Sequence, residues 1–377
     1  MEFPKPENSR GQVNRAGQIL RAYAQSADPV TIEQLDEWEW AYKVLANWRA
    51  CHNYPINTFR ATLRSRLKVI DDKATVAQRL KRFPSIVHKL QRYKEMQLAR
   101  MQDIGGLRAI LGTMAKVRRL ERAYRESKFL HDLVTPKDYI TNPKVDGYRS
   151  IHLIYRYRNP AVPFYDGLLL ELQLRTRLQH AWATAVETMG TFLGQALKSG
   201  QGEGQWRSFF EVTGSAIAHL ERSAPVPGYE ALSRNETFVQ VAESEARLRV
   251  LEKLRGFSVA AEKIITEKGQ GSFHLVVLNS VEKSVSIRPY GLTRLEQANE
   301  AYAEVEKQAQ SGEPVEAVLV SAGSVGALRK AYPNYFLDTH EFILQIERII
   351  EEARRPPSFR VGSRRRVLAP RTPSGRA

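Results

Sequence analysis

Cysteine and long apolar runs are scarce in this 377-residue sequence. Cys51 is the only cysteine, so no internal disulfide can form and no cysteine-based zinc site can be assembled. No apolar run approaches the roughly 20 residues that a membrane-spanning helix requires. The N-terminal stretch MEFPKPENSRGQVNR lacks the apolar segment of a secretion signal. These absences predict a soluble, cytoplasmic protein with no membrane partner.

Acidic residues are also in short supply relative to basic ones. The chain has 57 Lys and Arg residues against 41 Asp and Glu residues, which gives a formal net charge of +16. Such a surface attracts polyanions, including nucleotides and nucleic acids. A solubilising surface is the alternative interpretation, and composition alone does not decide between the two.

The hydrophobic periodicity divides the chain into two parts. Helical spacing prevails from residue 10 to about 100, and strands and helices then follow until a proline-containing stretch near residues 223 to 235. Beyond it the pattern starts again as a helix, two strands, a helix, a strand and a long final helix. We therefore predict an α+β fold with domains at 1–225 and 226–352, the second a small antiparallel sheet with helices. The arginine-rich, acid-free tail at 353–377 is typical of disorder and could bind polyanions.

One predicted strand, LLLELQLRT, separates two kinds of side chain. Glu171, Gln173 and Arg175 alternate with leucines, so they share one face of the strand. This alternation alone is typical of any half-exposed strand. Asp103, however, lies just before another predicted strand and could join Glu171 in holding Mg²⁺, which usually takes one or two carboxylates from the protein.

Basic and aromatic side chains surround these carboxylates in the sequence. The stretch AQRLKRFPSIVHKL places cations where a helix begins, which suits a polyphosphate. The stretch DYITNPKVDGYRSIH brings a lysine, a glycine, a tyrosine and a histidine into one turn and strand. Together with DIGGLR, ELQLRT and HAWA, these motifs follow one another in a fixed order between residues 79 and 187.

This order of motifs resembles the synthetase domain of the RelA/SpoT family, which transfers pyrophosphate from ATP to a ribose 3′-hydroxyl. The resemblance implies a nucleotidyltransferase-like fold, namely a mixed five-stranded sheet flanked by helices. It implies ATP as the pyrophosphate donor and Mg²⁺ bound by Asp103 and Glu171. Glu171 would also activate the attacking hydroxyl. Further residues are implied to bind ATP (Arg79, Lys81, Ser85, Lys89 and Arg108) and the acceptor (Lys144, Tyr148, His152, Gln173 and Arg175).

The second domain carries a further resemblance. Its order of elements and its YPNY sequence, Tyr332 to Tyr335, are similar to the neutralising domain of the CapRel group, fused toxin–antitoxin members of this family that act in phage defence. This implies a toxic half that modifies the 3′-CCA end of tRNA and so inhibits translation. It also implies neutralisation through Tyr332 and Tyr335 and a phage structural protein as the trigger. A helix-packing pair is the alternative interpretation of the two tyrosines.

The acceptor remains open at this point. One predicted helix is rich in cations that fit a tRNA ligand: Lys116, Arg118, Arg119, Arg122 and Arg125. Asp146 stands where many alarmone synthetases have Asn, and its charge would disfavour an acceptor with a 5′-polyphosphate. The alternatives are a (p)ppGpp or (p)ppApp synthetase that uses free nucleotides, and a catalytically inactive RNA-binding module. The sequence does not indicate an oligomeric state.

Overall fold

The structure, a computed structural model, describes residues 3–24, 31–81, 83–193, 203–266, 271–279, 281–282, 284–311, 313–321, 325 and 335–355. Within these ranges, no helix combines the length and the apolar character that crossing a membrane requires.

The N-terminal part contains one sheet and seven α-helices among its described residues. The strands are β1 (Thr75–Leu80), β2 (Gly105–Leu111), β3 (Asp132–Asp138), β4 (Ile151–Arg156) and β5 (Leu169–Thr176). The helices are α1 (Arg10–Tyr23), α2 (Ile32–Cys51), α3 (Asn53–Ile70), α4 (Phe83–Arg92), α5 (Met114–Arg125), α6 (Arg177–Leu193) and α7 (Glu203–Glu221).

The first sheet is mixed, as predicted, with the strand order β1-β2-β5-β4-β3. The neighbours β2 and β5 run parallel, and the other pairs are antiparallel. In this register Gly106 lies opposite Glu171, and Gln173 lies opposite both Arg108 and His152. The polar residues of three adjacent strands therefore meet in one region of the sheet.

The two faces of this sheet differ as the alternation in β5 predicts. Leu170, Leu172 and Leu174 are at most 2% exposed and pack in one core with α1, α2, α3 and α5. Because successive side chains of a strand point to opposite faces, Glu171 and Gln173 lie on the other face. Apolar burial thus holds the sheet from one side and leaves the opposite side for charged groups.

The C-terminal part forms the predicted small antiparallel sheet with helices. Its strand order is β7-β6-β8. The bounds of its elements are α8 (Arg234–Leu248), α9 (Val250–Thr266), β6 (Phe273–Asn279), β7 (Ser284–Tyr290), α10 (Leu295–Gln310), β8 (Val315–Ser321) and α11 (Tyr335–Arg354). Ser233 begins α8 with a capping box to Glu236, which explains why the helix starts just after the proline-containing stretch.

The hydrophobic core of the C-terminal part continues into the N-terminal part. Trp182 on α6 and Phe210 on α7 belong to the same buried cluster as Phe257 on α9, Leu278 on β6 and Phe342 on α11. The predicted boundary near residue 225 therefore separates two sheets but runs through a shared core. The domain limits stay predictions, and the tail beyond Arg355 lies outside the described residues.

Glu245 gives the C-terminal part a pH-dependent stability. Its carboxylate accepts hydrogen bonds from the backbone N–H groups of Val250 and Leu251 at the start of α9. Burial nevertheless raises the pKa of Glu245 from 4.5 to about 7. The folded state thus holds a proton that the unfolded state releases, so this contribution to stability is complete below pH 4.5 and lost as the pH rises through 7.

We predict that Glu245→Gln, which stays neutral, raises the melting temperature relative to the parent at pH 8 but not at pH 5. The expected gain at pH 8 is about 1 to 2 kcal/mol, because one pKa unit corresponds to about 1.4 kcal/mol and the side chain is only partly shielded. Thermal unfolding at both pH values measures it. The exposed Glu243→Gln on the same helix is the control and should show no such difference. Equal shifts at pH 5 and pH 8 would contradict the assignment.

Candidate active site

A cleft of about 760 Å³ opens where β2, β5 and β4 bring their polar residues together. Charged side chains make up much of its lining. The lining includes Lys89, Asp103, Lys137, Lys144, His152 and Glu171. The cleft thus combines three carboxylates, those of Glu95, Asp103 and Glu171, with lysines from α4, β3 and the turn that follows β3.

Asp103 lies in the turn before β2 and is held by two lysines. The Lys81 ammonium donates to Oδ2 at 2.9 Å, and the Lys89 ammonium donates to Oδ1 at 2.8 Å. Burial would raise the pKa of Asp103, but the two ammonium groups outweigh it and hold the pKa below its usual value. Asp103 is therefore an ionised carboxylate with a lysine on each oxygen.

Glu171 on β5 is also held at both oxygens. His152 Nδ1 lies 2.7 Å from Oε1, and the Gln173 amide donates to Oε2 at 2.7 Å. Burial again opposes ionisation, but the hydrogen bond from His152 holds the pKa of Glu171 below its usual value. Asp103 and Glu171 line the same cleft, and the charge of Asp103 acts to raise the pKa of Glu171.

The donor set of Asp103 and Glu171 fits Mg²⁺. Among the described residues, no group of three or more His, Cys, Asp or Glu side chains is placed to hold a metal ion. A Mg²⁺ site built on a nucleotide needs only one or two carboxylates, because phosphate and water complete the octahedron. Both carboxylates are ionised and face the same cleft, so the predicted metal role is compatible with the geometry and stays a prediction.

The 142–148 loop, which lies between β3 and β4, carries the predicted acceptor residues. The Asp146 carboxylate accepts the backbone N–H of Tyr148 at 3.0 Å, and Gly147 has a φ of +88°. A Cβ at Gly147 would meet Trp182 at 2.9 Å and the Phe210 carbonyl at 3.0 Å. Glycine at 147 therefore permits both the turn and the close approach of the loop to α6 and α7.

Tyr148 contacts several polar partners. Its hydroxyl lies 2.8 Å from His152 Nε2 and accepts a hydrogen bond from Arg175. Its ring has the Lys144 ammonium at 5.0 Å and the Arg175 guanidinium at 4.9 Å. An acceptor base that stacks on this ring would have to share it with these cations, and the stacking role stays a prediction.

The other predicted nucleotide ligands are placed less directly. Arg108 is 8% exposed and donates from Nε to Gln173 Oε1 at 3.3 Å, and Ser85 is exposed in the first turn of α4. Arg79 lies on β1 opposite Gly106, and its side chain is outside the description.

The two tyrosines of the predicted neutralising pair are not placed by the structure. Tyr332 lies outside the described residues, and Tyr335 is described only as the first residue of α11.

The basic helix α5 lies across the sheet from the cleft. Its apolar residues join the core under the leucine face, so the helix covers the opposite side of the sheet from Glu171. Three of its cations make ion pairs: Lys116 with Asp71 at 2.8 Å, Arg118 with Asp138 at 2.6 Å, and Arg125 with Glu121 at 3.0 Å. Arg119 and Arg122 are exposed. The tRNA role of this helix stays a prediction. The helix and the cleft lie on opposite faces of the sheet.

Several residues that line the cleft were missed in the sequence, among them Tyr139 and Lys137. Tyr139 lines the cleft, packs edge-on against His152 at 5.2 Å and lies under the Lys144 ammonium at 4.8 Å. Lys137 also lines the cleft, because β3 places it opposite His152. Both belong to one stretch, KDY, just before the loop, and the antiparallel pairing of β3 with β4 is the signal that could have found them.

The segment that builds the cleft has known relatives. A family model described as a region found in RelA / SpoT proteins matches residues 78–190. GTP pyrophosphokinase YwaC of Bacillus subtilis is 34% identical over 112 residues, which are 28% of this chain and 52% of the relative. GTP pyrophosphokinase YjbM of the same organism is 33% identical over 112 residues, 29% of this chain and 52% of the relative. The chain thus spans about half the length of the curated relatives it matches.

A solved structure is also similar. The crystal structure of small alarmone synthetase 1 from Bacillus subtilis bound to its product pppGpp is 22% identical in sequence. The match covers 48% of this chain and 94% of that one, with a TM-score of 0.40, which is too low to compare individual residues. The strands β2 to β5, which surround the cleft, all lie within residues 78–190, the segment that matches the RelA / SpoT family model.

Gly214 tests whether α7 positions the 142–148 loop. A Cβ at this buried position would lie 3.1 Å from both Cα and the carbonyl oxygen of Gly147, closer than ordinary contact. We predict that Gly214→Ala displaces the loop and raises the KM for the acceptor on the order of tenfold, since small misplacements near a reacting centre are costly. ATP affinity, measured by calorimetry, should hold. Gly204→Ala on the same helix has open space and is the matched control. Equal effects of the two changes would argue against the loop contact.

Proposed function

We propose that this chain is a RelA/SpoT-type pyrophosphokinase that transfers pyrophosphate from ATP to a ribose 3′-hydroxyl. The observation that carries the proposal is the pair of ionised carboxylates, Asp103 and Glu171, facing one cleft. Lysines hold the first and a histidine holds the second. The match of residues 78–190 to the RelA/SpoT region supports the same reaction.

The side chains suit the chemistry of this transfer. The hydroxyl oxygen attacks the β-phosphorus of ATP, the bond from that phosphorus to the α-phosphate oxygen breaks, and AMP leaves. Such a transition state asks the protein mainly for positioning and charge neutralisation. Lys81 and Lys89 can move from Asp103 to the phosphates, and Glu171 can accept the proton of the hydroxyl. A Mg²⁺ ion held by Asp103 and Glu171 would neutralise phosphate charge.

The acceptor we propose is the 3′-CCA end of tRNA, whose modification would inhibit translation. The net charge of +16 and the exposed cations Lys137 and Lys144 at the cleft support a polyanionic acceptor. Asp146 places a carboxylate in the 142–148 loop, where it would repel a 5′-polyphosphate. Phosphate contacts along a tRNA would supply affinity without reading its sequence.

A free nucleotide is the second candidate acceptor. Both curated relatives described above are named GTP pyrophosphokinases, which favours synthesis of (p)ppGpp from GDP or GTP. An adenine nucleotide would give (p)ppApp by the same chemistry. The active-site carboxylates serve all of these acceptors equally, so the acceptor has to be found by experiment.

We further propose that the C-terminal part restrains the active site as a fused antitoxin. The ring of Phe342 on α11 lies 6.1 Å from that of Phe210 on α7, and the 142–148 loop approaches the Phe210 carbonyl. A displacement of the C-terminal part can thus be transmitted to the predicted acceptor-binding loop through Phe210. Tyr332 and Tyr335 are the proposed neutralising pair, and a phage structural protein is the proposed trigger.

Labelled substrate tests the reaction and the acceptor together. Incubated with ATP labelled at the γ-phosphate, the protein should transfer label to tRNA and not to GDP or GTP. Periodate-oxidised tRNA, which lacks the 3′-hydroxyl, should stay unlabelled. Glu171→Gln should abolish transfer because the amide neither accepts a proton nor binds Mg²⁺ strongly, whereas Glu187→Gln on α6 should transfer normally. Label on GDP alone would establish the nucleotide alternative, and a fully active Glu171→Gln would refute the mechanism.

Neutralisation is best tested in the full chain. Removal of residues 226–352 would expose Trp182, Phe210 and other members of the shared core, so a truncated chain would confound stability with regulation. We predict that Tyr332→Ala combined with Tyr335→Ala raises transfer activity in the absence of any partner. Tyr290→Ala in β7 is the control and should leave activity unchanged. Unaltered activity in the double variant would count against a neutralising role of these tyrosines.

A further inference from the structure

At one wall of the cleft, five side chains form a closed ring of hydrogen bonds. Arg175 Nη2 donates to the hydroxyl of Tyr148 and, at 3.0 Å, to Gln173 Oε1. The Tyr148 hydroxyl lies 2.8 Å from His152 Nε2. His152 Nδ1 and the Gln173 amide nitrogen each lie 2.7 Å from one oxygen of Glu171. The ring therefore begins and ends at Arg175 and holds both oxygens of Glu171.

The chemistry of the donors gives this ring one direction. The ionised Glu171 can only accept, so His152 must carry its proton on Nδ1. In the neutral imidazole Nε2 is then an acceptor, and the Tyr148 hydroxyl donates to it while accepting from Arg175. On the other side, Gln173 Oε1 accepts from the guanidinium groups of both Arg175 and Arg108. Because Oε1 of Gln173 faces the two guanidinium groups, the amide N–H of Gln173 faces Glu171.

Burial separates the residues that face the cleft from those that support them. Glu171 and His152 line the cleft. Gln173 is 7% exposed and Arg175 is 3% exposed, and neither side chain is part of the lining. They are poorly placed to touch an acceptor but well placed to orient the groups that do.

The charge of Arg175 has no acidic partner in the described ranges. Its Nε and Nη1 groups have no hydrogen-bond partner there, and its guanidinium lies 4.9 Å from the Tyr148 ring centroid. A buried cation without a carboxylate is costly to stability, and the aromatic ring offsets only part of that cost. Groups held at such a cost are concentrated at functional sites.

We propose that Arg175 and Gln173 are positioning residues for Glu171, so that the placement of the 142–148 loop and the orientation of the reactive carboxylate are set by one guanidinium. This inference rests on the proposed pyrophosphokinase function. Arg175 holds the loop through Tyr148 and holds Glu171 twice, through His152 and through Gln173. The hydroxyl of Tyr148 thus has a role that is separate from any stacking by its ring.

Three variants interrupt the hydrogen-bonded ring at different points. Tyr148→Phe keeps the aromatic face but removes the hydroxyl, and Gln173→Met keeps the side-chain length but removes the amide. Arg175→Lys keeps the positive charge but removes the guanidinium group that donates to two partners. We expect each to lower kcat by about 10- to 100-fold, as for residues that orient a reactive ligand, with the acceptor KM changed less than about threefold. Loss of an acceptor ligand would instead raise KM and spare kcat at saturation. That result would overturn the proposal.

Arg149→Lys is the matched control for Arg175→Lys. Arg149 is also 3% exposed and is next to Tyr148 in the chain, but it donates to the Ala224 carbonyl and is no member of the ring. The melting temperature of either lysine variant can fall, but only Arg175→Lys should lose turnover. An equal loss of kcat in both would show a general effect of buried arginines on the fold and would refute the positioning role.

A measurement on the resting protein keeps this proposal distinct from the proposed function. Nitrogen-15 NMR of the full chain labelled at histidine reports which ring nitrogen carries the proton, and His152→Asn assigns the signal. We expect His152 to be the Nδ1–H tautomer in the parent and in Arg149→Lys, and to lose that single form in Tyr148→Phe and Arg175→Lys. An unchanged signal in both ring variants would refute the ring. A confirmed ring in a chain that transfers no label would refute the pyrophosphokinase and, with it, the positioning role.

Discussion

The parallel pairing of β2 with β5 is the constraint on which the site depends. It sets Gly106 beside Glu171 and so brings the turn that carries Asp103 to the same end of the sheet. The pairing is stabilised from one face, where the leucines of β5 are buried against the helices. Because side chains alternate along a strand, the burial that fixes these leucines also fixes the direction of Glu171 and Gln173. Stability and function thus use opposite faces of one strand.

Charge exchange is the second physical theme. Asp103 is compensated by two lysines, and Glu171 is compensated by a histidine and an amide. Each partner can rotate toward a phosphate or a hydroxyl, because the incoming ligand then takes its place beside the carboxylate. No buried charge is left without a partner. If Mg²⁺ binds Asp103 and Glu171 as proposed, the lysines released from Asp103 would need the phosphates of the substrate, so the metal and the substrate would bind together more readily than either alone.

Strands β2, β4 and β5 and the two carboxylates were accessible from the sequence because they depend on local alternation and on short motifs. The helical prediction for residues 10 to about 100 was wrong at Thr75–Leu80, which forms β1 and is held as a strand by its antiparallel pairing with β2. The mixed sheet was predicted and confirmed. The positions of Lys137 and Tyr139 were not predicted, because they depend on the register of β3 against β4 rather than on a motif. The same limit applies to α5, whose cations suggested a ligand surface but whose apolar residues place it under the leucine face. A charge pattern does not reveal which side of a sheet a helix will cover.

The buried cluster that α6 and α7 share with the C-terminal part connects the two sheets. The loop at Gly147 packs against Trp182 and Phe210, and these residues belong to the cluster that includes Phe342 of the final helix. Close-packed interiors transmit displacements because they leave little free volume. A shift of α11 would therefore displace the residues against which the loop packs. Tyr148, which belongs to the loop, would transmit that displacement to His152 and Glu171. In this arrangement the C-terminal part need not cover the cleft to control it, since the hydrogen-bonded ring around Glu171 is already connected to its core.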